Sequence, residues 1–367
     1  MYRSRRTFIK TTLGALALPS LSPLQSVFAQ PTNEWKTYEI TTEITLKDML
    51  GYPAQAWIPL PLGADRDFFK TQSIKTEGGN AKIIQSASGQ SHMAHVQWQG
   101  NENDAASFKV IATISTRERN NVLSTPNPKL QLSKQEMLFW TKGTDLLPVD
   151  GIVKQKAMEI IKPLPKNASD IDKARAIYEW VVENTFRNPK TRGCGEGDVK
   201  MMLETNNLGG KCADLNAVYV ALTRSAGIAA RDVYGIRVAD SVRGYKSLGK
   251  SGEITKAQHC RAEFFAKGYG WIAVDPADVR KVILEEAGGL PIDDAKVVAI
   301  REYLFGNWEM NWLAYNYDHD VVLPGSKLGK NGKVPFLMYP QAEINGNRVD
   351  PLDPDNFKYK ITSKLIA

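Results

Sequence analysis

The chain has 367 residues, of which 43% are hydrophobic, 24% charged and 9% aromatic, with a formal charge of +7. This composition belongs to a core-forming globular protein and excludes a disordered, collagen-like or coiled-coil chain; the length excludes one small domain, and three cysteines exclude a disulfide-rich scaffold. The basic excess admits nucleic acid, an anionic membrane or neither, and its location along the chain decides between them.

Residues 1–10 contain Arg3, Arg5, Arg6 and Lys10 and no acid; Leu13 to Leu18 form a short apolar run, and a Pro/Ser-rich stretch ends at Val27-Phe28-Ala29. Basic region, apolar region and small-residue cleavage site in that order read as a signal peptide over residues 1–29. Ser4-Arg5-Arg6-Thr7-Phe8-Ile9-Lys10 is similar to the twin-arginine export signal of bacteria. The similarity implies the twin-arginine machinery as a partner, cleavage after Ala29 and a periplasmic location. The apolar run is far shorter than the roughly 20 residues of a membrane span. Residues 1–29 hold four of the 47 basic residues and none of the 40 acidic ones, leaving 43 against 40 in the rest. No Lys/Arg run interleaved with aromatics remains to suggest a nucleic-acid groove, and no later stretch reads as a membrane span.

In the unit of residues 30–145, apolar residues alternate between Trp35 and about Asn120, as in Tyr38, Ile40, Ile44 and Leu46 and again in Phe108, Val110, Ala112 and Ile114. Period two predicts half-buried strands, and the turn-rich segments between them predict an antiparallel β-sandwich-like domain with a linker. Trp57-Ile58-Pro59 reads as a strand at a sheet edge, where proline removes no ladder bond. His92 and His95 read as loop residues. Residues 146–290 form a second unit, which starts with helices. Ser169 is a helix start, and Ile171, Ala174, Ile177, Tyr178, Val181 and Val182 share one face. A second helix runs from Gly209-Gly210-Lys211-Cys212 to Gly227, and strands follow at 233–238, 260–265 and 271–274. The fold class is therefore α+β. Residues 291–367 read as a β-rich C-terminal extension, with Trp308 and Trp312 as core residues.

Cys212 falls in the first turn of its helix, where free amides and the helix dipole favour a thiolate over the neutral thiol of reference pKa ~8.5. His259 lies on one strand of a hairpin and Asp275 ends the other. Together they supply nucleophile, general base and base-orienting carboxylate. The Cys212 amide is the first oxyanion donor expected, with the side chains of Asn207 and Asn206 as candidates for the second or as ordinary turn residues. The Arg192-to-Asp198 glycine loop lacks the feeding strand and the Lys-Ser/Thr of a phosphate loop and reads as an active-site loop. His319, between Asp318 and Asp320, reads as a local ion-pair residue. Neither His92-x-x-His95 nor Asp350, Asp353 and Asp355 makes a convincing metal set, and no cofactor motif is present.

Gly210 to Leu215, Leu222 to Arg231, His259 to Glu263 and Gly270 to Pro276 occur in an order and spacing that resemble the transglutaminase-like superfamily of papain-like cysteine enzymes. The resemblance covers residues 146–290. It implies a papain-like core with Cys212 as nucleophile, His259 as base and Asp275 as its partner. With the signal and the flanking β regions, the chain resembles an exported bacterial subgroup. The superfamily often has Trp two residues after the histidine; here Arg261 stands there, which suggests a charged substrate wall, with Cys194 beside it. A tight turn at Gly268 would set Asp275 opposite Ala262, about 10 Å from His259, so a bulge is expected. In an oxidising compartment Cys194 and Cys260 could pair and leave Cys212 free. The expected activity is acyl transfer through a thioester, with hydrolysis of a peptide, protein or cell-envelope amide preferred. The alternatives are transfer to an amine, as in a transglutaminase, or a non-catalytic binding or assembly module.

Overall fold

The structure, a computed structural model, describes residues 34–367 except 48, 50, 64, 101–105, 354 and 356, so the export signal lies outside the described residues. Alternation builds the first sheet. β1 (Lys36–Leu46), β2 (Ala54–Pro59), β3 (Phe69–Glu77), β4 (Ala81–Gln85) and β5 (His92–Trp98) precede β6 (Ala106–Thr116). β1 and β6 pair antiparallel with Tyr38 opposite Ile114, Ile40 opposite Ala112 and Ile44 opposite Phe108. The two apolar stripes therefore share one buried face.

A short β7 (Arg119–Asn120) leads to α1 (Lys134–Thr141), α2 (Gly151–Ile161) and α3 (Asp170–Asn184). Ser169 caps α3 by accepting from the Asp172 amide at 3.1 Å, and Asp172 accepts from the Ser169 amide at 2.9 Å. This reciprocal box fixes the helix start, and the stripe from Ala174 to Val182 is buried. β8 (Phe186–Arg187) and β9 (Gly209–Gly210) pair parallel across α4 (Val199–Glu204) and deliver the chain to α5 (Cys212–Ser225), every residue of which is buried. After β10 (Ala230–Arg237) and the short β11 (Gly252–Glu253) come β12 (Gln258–Ala266), β13 (Gly270–Val274), α6 (Pro276–Glu285), α7 (Ala295–Tyr303), β14 (Asn307–Trp308) and β15 (Trp312–Asn316). A four-stranded sheet of order β13-β12-β10-β15 forms against α5.

The last strands return to the beginning of the chain. β16 (Gln341–Ile344) pairs with β2, β17 (Asn347–Val349) with β16, and β18 (Phe357–Leu365) with β1. Two five-stranded sheets result, β11-β18-β1-β6-β3 and β17-β16-β2-β5-β4. Their facing sides bury Ile44, Leu46, Ala56, Ile58, Val96, Phe108 and Phe357. The antiparallel sandwich expected from the N-terminal alternation is thus completed by C-terminal strands.

Two local readings are corrected. β2 is the central strand of its sheet, not an edge. Proline is accommodated because Pro59 is the last residue of β2, where its missing N–H removes no ladder bond. His92 and His95 lie on β5, and the His95 ring stacks on Trp57 with centroids 5.2 Å apart.

Gly235, on β10 opposite His259, has no room for a side chain. A Cβ there would lie 2.1 Å from the Leu313 carbonyl oxygen and 2.4 Å from the Trp312 ring. Gly235→Ala is expected to part β10 from β15 and destabilise the protein by about 2 kcal/mol or more, measured as a lower urea midpoint. An unchanged midpoint would refute this close packing.

Candidate active site

Cys212 is the first residue of α5, with Lys211 as N-cap. Its amide is one of the first-turn donors that no helix carbonyl can satisfy. The neighbouring glycine loop is fixed by Asp214, whose Oδ1 accepts from the amides of Glu196 and Gly197, both at 3.0 Å, and whose Oδ2 accepts from Lys211 at 2.9 Å. Gly195 has φ +92° and a Cβ there would meet the Asp214 carboxylate at 1.8 Å. The loop is therefore moulded onto the start of the nucleophile helix.

His259 and Asp275 meet without a bulge. β12 and β13 pair regularly from Ala266 opposite Gly270 to Ala262 opposite Val274, and Asp275 leaves the strand as N-cap of α6. It stands one step beyond the ladder, level with Arg261. His259 is then a diagonal neighbour on the same face, a separation that a long side chain spans. His259 Nε2 lies 2.7 Å from Asp275 Oδ2 and 3.4 Å from Asp278 Oδ2. With Nε2 so engaged, Nδ1 is the ring nitrogen left for Cys212. The Trp312 indole donates to the His259 carbonyl at 2.9 Å, and Asn216 donates to the Cys260 carbonyl at 2.9 Å and to Asp275 Oδ1 at 3.3 Å.

Charge is arranged to favour a thiolate–imidazolium pair. The thiols of Cys194 and Cys260, and then His259, hold the Cys212 thiol well below its ordinary range against the effect of burial. Burial and Arg237 pull the imidazole down, but Asp278 and Asp275 outweigh them and push His259 up to about 10. Burial also pushes on Asp278, yet Arg237, 2.6 Å away, and His259 hold it far below the carboxylate range. A cavity of about 1010 Å³ opens onto this group and includes Cys194, Cys212, Gln258 and His259 in its lining.

Residues 157–276 match the family profile of the transglutaminase-like superfamily, an interval that contains Cys212, His259 and Asp275. An uncharacterized protein of Haemophilus influenzae is 35% identical over 349 residues, covering 90% of this chain and 91% of that protein. The chain belongs to the transglutaminase-like superfamily. Among solved structures, a candidate cysteine protease of Cytophaga hutchinsonii aligns with TM-score 0.49 at 15% identity, over 90% of this chain and 98% of that one. The periplasmic domain of TgpA from Pseudomonas aeruginosa aligns with TM-score 0.36 at 15% identity, over 75% and 81%.

The site of this transglutaminase-like protein departs from the sequence reading at several residues. Arg261 is not a substrate wall: it is buried behind Asp275, donates to the Glu309 carbonyl at 2.9 Å and has Nε 3.8 Å from Asp275 Oδ2. Cys194 does line the cavity. Cys194 and Cys260 do not form the considered disulfide; all three cysteines are free, Cys194 Sγ donates to the Gln258 carbonyl at 3.3 Å, and both thiols act on Cys212 to lower its pKa. Cys194→Ala is expected to slow alkylation of Cys212 at pH 5 by about fivefold, the equivalent of one hydrogen bond of about 1 kcal/mol; an unaltered rate would show that this contact does not stabilise the thiolate.

Asn206 and Asn207 are exposed and outside the cavity lining, and Asn207 Oδ1 accepts from the Gly209 amide at 3.4 Å, a turn contact. Gln258 replaces them as the side-chain amide at the site, its buried Nε2 without an acceptor among the described residues. His319 pairs with Asp232 at 3.1 Å and not with its chain neighbours. Asp350 pairs with Arg192 at 2.5 Å, and Asp353 Oδ1 accepts from the Asp355 amide at 3.1 Å. Among the described residues, His259, Asp275 and Asp278 are the group close enough to share a metal ion. Arg237 and Arg261 already supply positive charge there, which disfavours a cation. Sequence reasoning missed Asp278, Asn216 and Gln258. Asn216 lies four residues after Cys212, on the same helix face, and that spacing was the available signal.

No helix among the described residues is long and apolar enough to cross a membrane.

Proposed function

We propose that this protein is a periplasmic cysteine acyl-transfer enzyme that hydrolyses an amide or peptide bond. The observation that carries this reading is the buried pairing of His259 with Asp275 at 2.7 Å beside a Cys212 thiol held well below its ordinary range. Cys212 Sγ attacks the carbonyl carbon as a thiolate. The developing oxyanion is held by the Cys212 amide and Gln258 Nε2. The tetrahedral species collapses as His259 gives its proton to the leaving amine, and the acyl group remains as a thioester. His259, now neutral, takes a proton from water, the hydroxide attacks the thioester, and Cys212 leaves as a thiolate. Asp275 fixes the imidazole, and Asp278 adds a second negative charge that keeps it protonated until the amine departs.

Alkylation by iodoacetamide tests the reading. The rate at Cys212 should be high and flat between about pH 6 and 8, because the thiolate is already formed there. A slow rate that rises only above pH 8 would describe an ordinary thiol and overturn the reading. The periplasmic location rests on the sequence of residues 1–29, and cell fractionation of an Arg5→Lys/Arg6→Lys chain tests it. Export of that variant through the same route as wild type would reject the twin-arginine assignment.

A further inference from the structure

The cavity that reaches Cys212 has a wall of one sign. Nine of its lining side chains are Lys or Arg and one, Glu253, is a carboxylate. Arg187, Arg192, Arg237 and Lys281 are already paired with Glu285, Asp350 or Asp278. The other five, Lys211, Lys250, Lys256, Lys358 and Lys360, have no carboxylate within 4 Å among the described residues. Residues 30–367 as a whole carry only three more basic than acidic residues, 43 against 40, so five lysines at one cavity, with Glu253 near Lys250 and Lys360 and Glu43 opposite Lys360, are a local concentration of positive charge. They come from separate elements. Lys211 caps α5, Lys250 and Lys256 flank β11, and Lys358 and Lys360 stand two apart on β18, hence on one face. Like charges brought together repel one another, and in a concave wall they focus a positive potential on whatever enters.

We propose, resting on the acyl-transfer reading above, that the substrate is an acidic peptide: an acyl donor whose carboxylates are bound by these lysines while its amide carbonyl reaches Cys212. Polynucleotides and anionic lipid surfaces would meet the same potential. A polynucleotide offers the thiolate no acyl carbon, and the charges and the scissile amide must belong to one molecule if binding is to position the reaction. Leu352, half-buried on the same wall, gives the peptide's carbon skeleton an apolar surface beside the charges.

A pair of alkylating probes separates this inference from the reading it rests on. Iodoacetate and iodoacetamide attack the same sulfur and differ in one negative charge. At low salt the ratio of their rates at Cys212, normalised to 2-mercaptoethanol, should exceed one by on the order of tenfold. It should fall towards one in 0.5 M NaCl, where screening acts within a few ångströms, and in Lys358→Gln/Lys360→Gln. Triglutamate should slow alkylation of Cys212 more than triglutamine does. Slow labelling by both reagents at pH 7 would overturn the acyl-transfer reading. Fast labelling by both with a normalised ratio of one, or a raised ratio that the double variant leaves unchanged, would overturn only the lysine wall. Protection by phosphatidylglycerol vesicles or by an oligonucleotide, and not by triglutamate, would overturn the peptide assignment.

Discussion

His259→Ala is expected to lower kcat for amide hydrolysis by at least ~10³, because it removes both the proton donor to the leaving amine and the base that activates water. Alkylation of Cys212 should respond differently. The place of Cys212 at the start of α5, among free first-turn amides, is kept when the imidazole is gone, so some reactive thiolate survives while the acid limb of its pH profile moves upward. Wild-type hydrolysis should follow a bell-shaped profile. The acid limb marks protonation of Cys212, whose pKa is lowered, and the alkaline limb marks loss of the His259 proton near pH 10. The limbs belong to the pair and not to either residue alone. Equal losses of alkylation and hydrolysis in His259→Ala would show that the histidine acts on the sulfur alone.

Glu263→Ala is expected to destabilise the protein by about 3 kcal/mol or more, since removing one member of a buried charge network strands the others. Glu263 Oε2 lies 2.5 Å from Arg119 Nη1, and Oε1 lies 2.5 Å from Arg231 Nη2, all three side chains being almost wholly buried. Aromatic rings enclose the cations: Arg231 sits 3.7 Å from the Trp271 centroid and 3.8 Å from that of Tyr317, and Arg119 sits 4.4 Å from that of Trp308. Burial would raise the Glu263 pKa, but Arg231 and Arg119 hold it below its ordinary value. Its contribution is therefore complete above the unfolded value near ~4.3 and is lost as pH falls through the folded one. Urea midpoints measured from pH 7 down to pH 3 should fall more steeply for wild type than for Glu263→Ala. Parallel curves would remove Glu263 from the acid-sensitive part of the fold.

The sequence reveals what short-range rules control. Ser169 and Asp172 announce α3, the Gly-Gly-Lys-Cys run announces α5, and alternation at 38–46 and 108–114 announces two strands that prove to be partners. Long-range pairing is hidden. Nothing near residue 357 says that β18 lies beside β1, because strands of like composition do not encode their neighbours. The same divide runs through the site. Cys212, His259 and Asp275 stand out by residue type and motif, whereas Asp278 resembles an ordinary first-turn acid of α6. Gln258 is conspicuous only once its amide is found buried without an acceptor. Arg261 was misplaced because an even step along a strand from His259 gives its face but not what covers that face, and Asp275 with the 309–311 backbone and side chains covers it.

The pairing of β1 with β18, which sets Tyr38 opposite Leu365, also governs when the site is finished. Contacts between the two ends of a chain impose the longest loop closures and slow folding. A nascent chain can form α5 and the hairpin of β12 and β13 early, and so carry a Cys–His pair before it carries Lys358 and Lys360. The thiol would then be assembled first and its cationic wall last. Charge selectivity would thus follow the pairing of β18 with β1 and not the assembly of the Cys–His pair.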